Sequence, residues 1–262
     1  MSIGTIFNKK LKGNKTMKKK FKDMIFVKGG KYKPCFTDDE KEIYDLEVCR
    51  YLTTQKMWLE VMENNPSGFK GDNRPVETVS WWEVLEYCNR LSEKYGLEPV
   101  YELSKSSEGT LMIKELEGKI VSPDKANFKN TEGFRLPTEV EWEWFASGGQ
   151  KAIEQGTFEY KYSGSNNIDE VAWYFKNSSI NKKSSKEIHE VALKKANQLG
   201  IYDCSGNLWE WIYDIDENFG KRRKIRGGCY YSDPEVCTVL FCHSELSAKT
   251  FDNIGFRVVR TV

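Results

Sequence analysis

Seven cysteines, at 35, 49, 88, 204, 229, 237 and 242, and two histidines, His189 and His243, are the side chains of this 262-residue sequence best suited to ligate a soft metal, attack an electrophile or carry a proton. Their spacing suits little of that chemistry. The cysteines are odd in number, contain no Cys-x-x-Cys pair and are too sparse for a disulfide scaffold, so they read as reduced and mostly buried thiols. Each histidine stands alone, His189 in a polar stretch and His243 in an irregular one, and reads as a surface or satisfied polar residue rather than a ligand. A Ser-His-Asp hydrolase needs a nucleophile, a base and an orienting acid brought together, and nothing marks such a set. Three of the thiols and His243 share one segment, RGGCYYSDPEVCTVLFCHSELSAKTFDNIGFRVV at 226–259. Its two ends are regular, while its middle mixes aromatics, hydroxyls, thiols and acids in no period.

A segment so irregular has to be held by elements elsewhere. A chain of 262 residues with eight tryptophans and 13% aromatic content is long enough to bury a core. The net charge of +1 sets up no global field for nucleic acid or lipid, and no apolar run reaches the ~18 residues of a membrane span. The first 22 residues are Lys-rich, without the apolar segment and small-residue cleavage site of a signal peptide. Residues 1–23 therefore read as a basic flexible arm, with Met17 an alternative start, and 24–262 as a single domain.

From Met24, MIFVKGGKYKPCF reads as two short strands about Gly29 and Gly30. IYDLEVCRYLTTQKMWLEVM is a strand running into a helix with Thr53 or Thr54 as its N-cap. VSWWEVLEYCNRLSEKYGL carries a capping box in Ser80 and Glu83, an apolar face of Val84, Leu85, Cys88 and Leu91, and Gly96 at the C-terminal cap. A second capping box, Thr138 and Glu141, starts a helix after Pro137, and Gly148 with Gly149 stops it. Strands and polar loops are expected over 101–133, and little regular structure from Gly149 to about 200. Two main helices, short strands and long irregular loops tied down by Trp and Tyr give an α+β fold.

Three segments, GFRLPTEVEWEWFASGG at 133–149, LGIYDCSGNLWEWIYD at 199–214 and IRGG…NIGFRVVR at 225–260, together resemble the formylglycine-generating-enzyme (sulfatase-modifying factor) domain. FVKGGKY and PVETVSWWEVLEYCNRLSEKYGL match it as well, so the resemblance covers about 24–260. It implies the formylglycine-generating-enzyme branch of the C-type-lectin-like fold. It also implies a structural calcium ion, with Asp203 and Glu210 as carboxylate ligands and Gly206 and Leu208 giving backbone carbonyls. Read physically, Glu210 serves equally well as the partner of a nearby arginine, and Gly206 with Asn207 suits a turn of positive φ.

The resemblance implies two chemistries, and the residues present supply neither. Catalytic members oxidise a substrate cysteine at a copper site built from two cysteines in the last segment. Counted from Arg226, the second falls on Cys237 but the first on Ser232, whose hydroxyl is no soft, readily ionised ligand. Cys229 and Cys242 are near but off the spacing. Sulfoxide synthases of the same family need several histidines, and two are present.

A second group on this fold resembles the chain in its C-terminal segment: the variable proteins of diversity-generating retroelements, whose reverse transcriptase miscopies adenines in Asn codons. Such codons cannot become Lys, Glu, Gln, Met or Trp, and residues 229–253 hold only Glu235, Glu245 and Lys249 from that excluded set. The resemblance places template Asn positions at Tyr231, Ser232, Asp233, Val236, Phe241, His243, Ser244, Leu246, Phe251 and Asp252, with Asn253 retained. It implies a non-catalytic protein, monomeric and without required cofactor, that binds an unknown protein or cell-surface ligand through these ten residues. The alternative is a copper oxidase or related oxygenase. Leu240 is expected to be core. The mixture suits recognition, since Tyr and Phe give rigid contact area and Ser, Asp and His adaptable hydrogen bonds. A cell-surface location follows from the resemblance, although no export signal is visible.

Overall fold

The computed structural model describes residues 21–103, 111–113, 132–179, 185–220 and 222–262. The expected basic arm lies outside these up to residue 20, and most of the loops expected at 101–133 lie outside them too. At the arm's end Phe21 packs within 5.5 Å of both Tyr95 and Phe134.

Two sheets carry the described chain. In the first, β1 (Met24–Val27), β4 (Leu46–Cys49) and β11 (Val259–Thr261) are antiparallel, so the two ends of the domain meet on β4. In the second, the order is β10 (Ile254–Gly255), β7 (Trp209–Ile215), β8 (Arg222–Arg226), β9 (Cys242–Leu246). There β10 runs parallel to β7, and the other pairs are antiparallel. The hairpins β2 (Gly30–Tyr32) with β3 (Lys41–Ile43), and β5 (Tyr101–Leu103) with β6 (Leu111–Ile113), stand apart.

The capping signals translate directly. α1 (Gln55–Leu59) starts at Thr54, whose hydroxyl accepts from Met57 N. α2 (Trp81–Lys94) and α3 (Glu139–Ala146) each start on a complete capping box, Ser80 with Glu83 and Thr138 with Glu141. Gly148 and Gly149, expected to stop α3, do end it, and in doing so open a further short helix, α4 (Gly149–Glu154). Another, α5 (Ile168–Val171), caps on Asn167 in the stretch that showed no helical period. Both are too short for periodicity to register.

Tryptophans replace regular structure as the source of cohesion. Trp58, Trp81, Trp142, Trp144 and Trp211 are all fully buried. Trp81 at the start of α2 donates its indole N–H to Ile212 O at 2.9 Å, while Trp211 donates to Val79 O at 3.1 Å. This reciprocal pair locks α2 against β7, the strand from which the C-terminal segment hangs. Both indoles of this pair bury large apolar area while the one donor of each stays satisfied.

Candidate functional site

The two ends of the irregular segment are fastened by buried arginines. Arg226, closing β8, donates to Glu143 at 2.7 Å and to Leu240 O at 3.1 Å, with Glu139 at 3.7 Å. Arg257, after β10, grips both carboxylate oxygens of Glu210 at 2.6 and 2.7 Å. Between them Gly206 and Asn207 take positive φ, as expected of that turn, and bind the segment's start: Gly206 N donates to Gly227 O, and Tyr230 N to Asn207 O, both at 2.8 Å. Gly228 (φ +74) is required by contact, since a Cβ there would sit 2.7 Å from the Cys237 thiol. The far side is held by Trp209 N donating to Asn253 O at 3.0 Å.

Six of the ten expected face residues, Tyr231, Asp233, Phe241, His243, Leu246 and Asp252, lie exposed. Val236 and Phe251 are half-buried against the main core. Ser232 and Ser244 depart from the expected face. The Ser232 hydroxyl is buried beneath the chain, accepting from Cys229 N at 3.0 Å, and Ser244 points inward to Asp216 at 2.6 Å. Alternation explains Ser244, because on β9 its neighbours His243 and Glu245 turn the other way. Leu240, expected as core, is 55% exposed, since the turn before β9 lifts it off the sheet. The support beneath the face is aromatic: the buried Trp209 ring lies 6.1 Å from Phe241 and 6.2 Å from His243, and Tyr231 meets Tyr230 edge-on at 4.8 Å, contacts that the residue types alone do not reveal. Trp209 carried a usable signal, being the first residue of a strand that alternates sides.

The chemistry at these positions is closed rather than poised. Cys237 is fully buried with Tyr162, Val171 and Tyr174, and burial pushes its thiol up to about 12. Cys229 is buried as well, its thiol raised chiefly by burial, 3.2 Å from the Ser232 hydroxyl. Cys242 is half-buried and likewise pushed up to about 12, so no thiol of the segment tends to ionise. His189 stacks on Trp173 at 3.7 Å with Nε2 at 3.0 Å from Ser178 O, and burial lowers its pKa. His243 sits 3.6 Å from Glu245 on the surface.

The implied calcium ion does not fit the residues carried over for it. Glu210 has both oxygens on Arg257. Asp203 is buried with Oδ2 accepting from Ala192 N at 2.9 Å, and burial raises its pKa to about 6. Gly206 and Leu208 are buried, and of the two carried-over carboxylates neither is left without a hydrogen bond. Among the described residues no group of three or more His, Cys, Asp or Glu is placed to hold a metal, and no helix is long and apolar enough to cross a membrane.

Residues 10–262 match the family model described as the sulfatase-modifying factor enzyme 1-like domain. The chaperone protein LppX of Paenibacillus barcinonensis is 39% identical over 257 residues, spanning 91% of this chain and 89% of that protein. The formylglycine-generating enzyme of Mus musculus is 29% identical over 144 residues, 48% of this chain and 38% of the enzyme. Among solved structures, Treponema denticola variable protein 1 superposes with a TM-score of 0.70 at 29% identity, over 91% of this chain and 95% of that one.

Proposed function

The chain belongs to the sulfatase-modifying factor enzyme 1-like domain family, and we propose that its role there is binding: a non-catalytic protein displaying a C-terminal surface diversified by a retroelement. The observation that carries this reading is the division within 226–257. Its frame, Arg226 and Arg257 with their glutamates, is buried and ion-paired, while six of the ten expected face residues between them are exposed. Fixed frame and variable fill are what a protein needs if its contact residues change while its fold does not. The fold shared with a variable protein supports the reading.

Against the oxidase alternative stand a hydroxyl at Ser232 and an inaccessible thiol at Cys237. The identity to a protein named as a chaperone favours another polypeptide as the ligand over a small molecule. The test is genomic. The DNA near this gene is expected to hold a near-copy of its last hundred or so bases, differing at adenines of the Asn codons, beside a reverse-transcriptase gene. A population of related genes with no adenine-linked variation at these codons overturns the retroelement origin.

A further inference from the structure

Resting on the binding reading above, we infer that the partner of the 231–252 face is a polypeptide segment carrying apolar side chains beside lysine or arginine.

The apolar half of the inference comes from continuity. Phe69, Tyr230 and Tyr231 form one run of ring contacts at 5.7 and 4.8 Å. Trp209, Phe241 and His243 form another. The two are joined through Asn253, whose carbonyl accepts from Trp209 N and whose side-chain amide donates to the sulfur of Cys229, the neighbour of Tyr230. Tyr231 in the first run and Phe241 in the second are each more than one-third exposed. Scattered apolar residues need no explanation, but a contiguous group marks a contact surface.

The charged half comes from segregation. Residues 229–253 hold four carboxylates, Asp233, Glu235, Glu245 and Asp252, against the single cation Lys249, in a chain whose net charge is +1. Glu245 is shared between Arg222 at 3.8 Å and His243 at 3.6 Å. Asp233, Glu235 and Asp252 are exposed and form no ion pair among the described residues. Free carboxylates around an aromatic centre attract cations and repel phosphate, acidic glycans and anionic lipid. Among the described residues β9 is an edge strand paired to β8, and such an edge offers main-chain groups that a peptide, unlike a polyamine, can meet.

The probes are three fluorescein-labelled peptides of equal length, alternating Leu-Lys, Leu-Glu and Ser-Lys, titrated against the full chain by fluorescence anisotropy. The Leu-Lys peptide is expected to bind at least about tenfold more tightly than either other, which is about 1.4 kcal/mol. Asp233→Asn with Asp252→Asn is expected to weaken it about tenfold and flatten its salt dependence. Phe241→Ala weakens it without flattening, and Glu154→Gln on α4 leaves it unchanged. Coincident melting curves establish that the variants are folded. Equal binding of the Leu-Glu or Ser-Lys peptide, or no effect of the double carboxamide variant, overturns the inference. If Phe241→Ala and Tyr231→Ala then abolish Leu-Glu binding, the face binds but its charge preference was misread. If no face variant alters binding of any probe, the binding reading falls with the inference.

Discussion

Arg257 and Glu210 meet in a two-pronged ion pair from which solvent is excluded on both sides, Nε to Oε2 at 2.6 Å and Nη2 to Oε1 at 2.7 Å. Arg257 also donates to Tyr202 O at 2.9 Å, so one side chain joins the end of the irregular segment, β7 and the turn before it. Breaking a buried pair by removing one partner strands the other charge, and Glu210→Gln is expected to cost about 3–5 kcal/mol in a urea melt. Since the pair occupies the position where calcium was expected, chelator is expected to leave the melting temperature unchanged. A chelator-induced drop, abolished in Asp203→Asn, would restore the metal.

Stability is expected to fall as pH rises through the weakly acidic range. Burial raises the Asp203 carboxyl to about 6, and burial with the Glu139 charge raises Asp214 to about 7. Both groups hold a proton more tightly folded than unfolded, where an Asp titrates near about 3.9. Their contribution is therefore fully present below that value and is lost as pH rises through about 6 and 7. Asp214 Oδ2 accepts from Glu139 N at 2.7 Å, which an asparagine oxygen also does. Asp214→Asn should then be more stable than the parent at pH 8 and flatter between pH 5 and 8. Parallel stability curves for the two proteins would show that Asp214 does not titrate there.

Incubation with Cu(I), oxygen and a cysteine-containing sulfatase peptide is expected to yield no formylglycine. Restoring Ser232→Cys should not be sufficient, because Cys237 is sealed beneath Gly228 and packed with Val171 and Tyr174. Formylglycine detected by mass spectrometry with either protein would make the chain an oxidase.

The parts of the fold written in local chemistry were legible: a capping box needs only two residues at fixed spacing, so Ser80 with Glu83 and Thr138 with Glu141 could be placed without any tertiary knowledge. The pairing of Glu210 with Arg257 across 47 residues could not, because its sequence signal is the same as that of a calcium ligand. Within the face, the residue types were readable but their directions were not. Ser244 and His243 differ by one position on β9, and only the register with Lys224 and Ile225 decides which turns inward. Leu240 misled by its chemistry, since nothing in its neighbours announces a turn that exposes it.

That distinction sets the last prediction, on how much change the segment tolerates. At Tyr231, Asp233, Phe241, His243 and Asp252, exchange for any residue reachable from an Asn codon by adenine change is expected to shift stability by no more than about 0.5 kcal/mol, as at ordinary surface sites. Trp211→Ala, which empties a fully buried site and removes the bond to Val79 O, should cost about 3–5 kcal/mol. Ser232 and Ser244 should fall between. Tyr or Phe at position 232 has to displace Cys229, at about 1–3 kcal/mol for overpacking, and loss of the Ser244 hydroxyl leaves its bond to Asp216 unmade at about 1 kcal/mol. A library randomised at all ten positions, sorted for folded protein and sequenced, should retain small residues at 232 and 244 and broad sets at the five exposed positions just named. Equal breadth at all ten would mean the buried serines constrain nothing, and narrow sets at those five would mean the face is core.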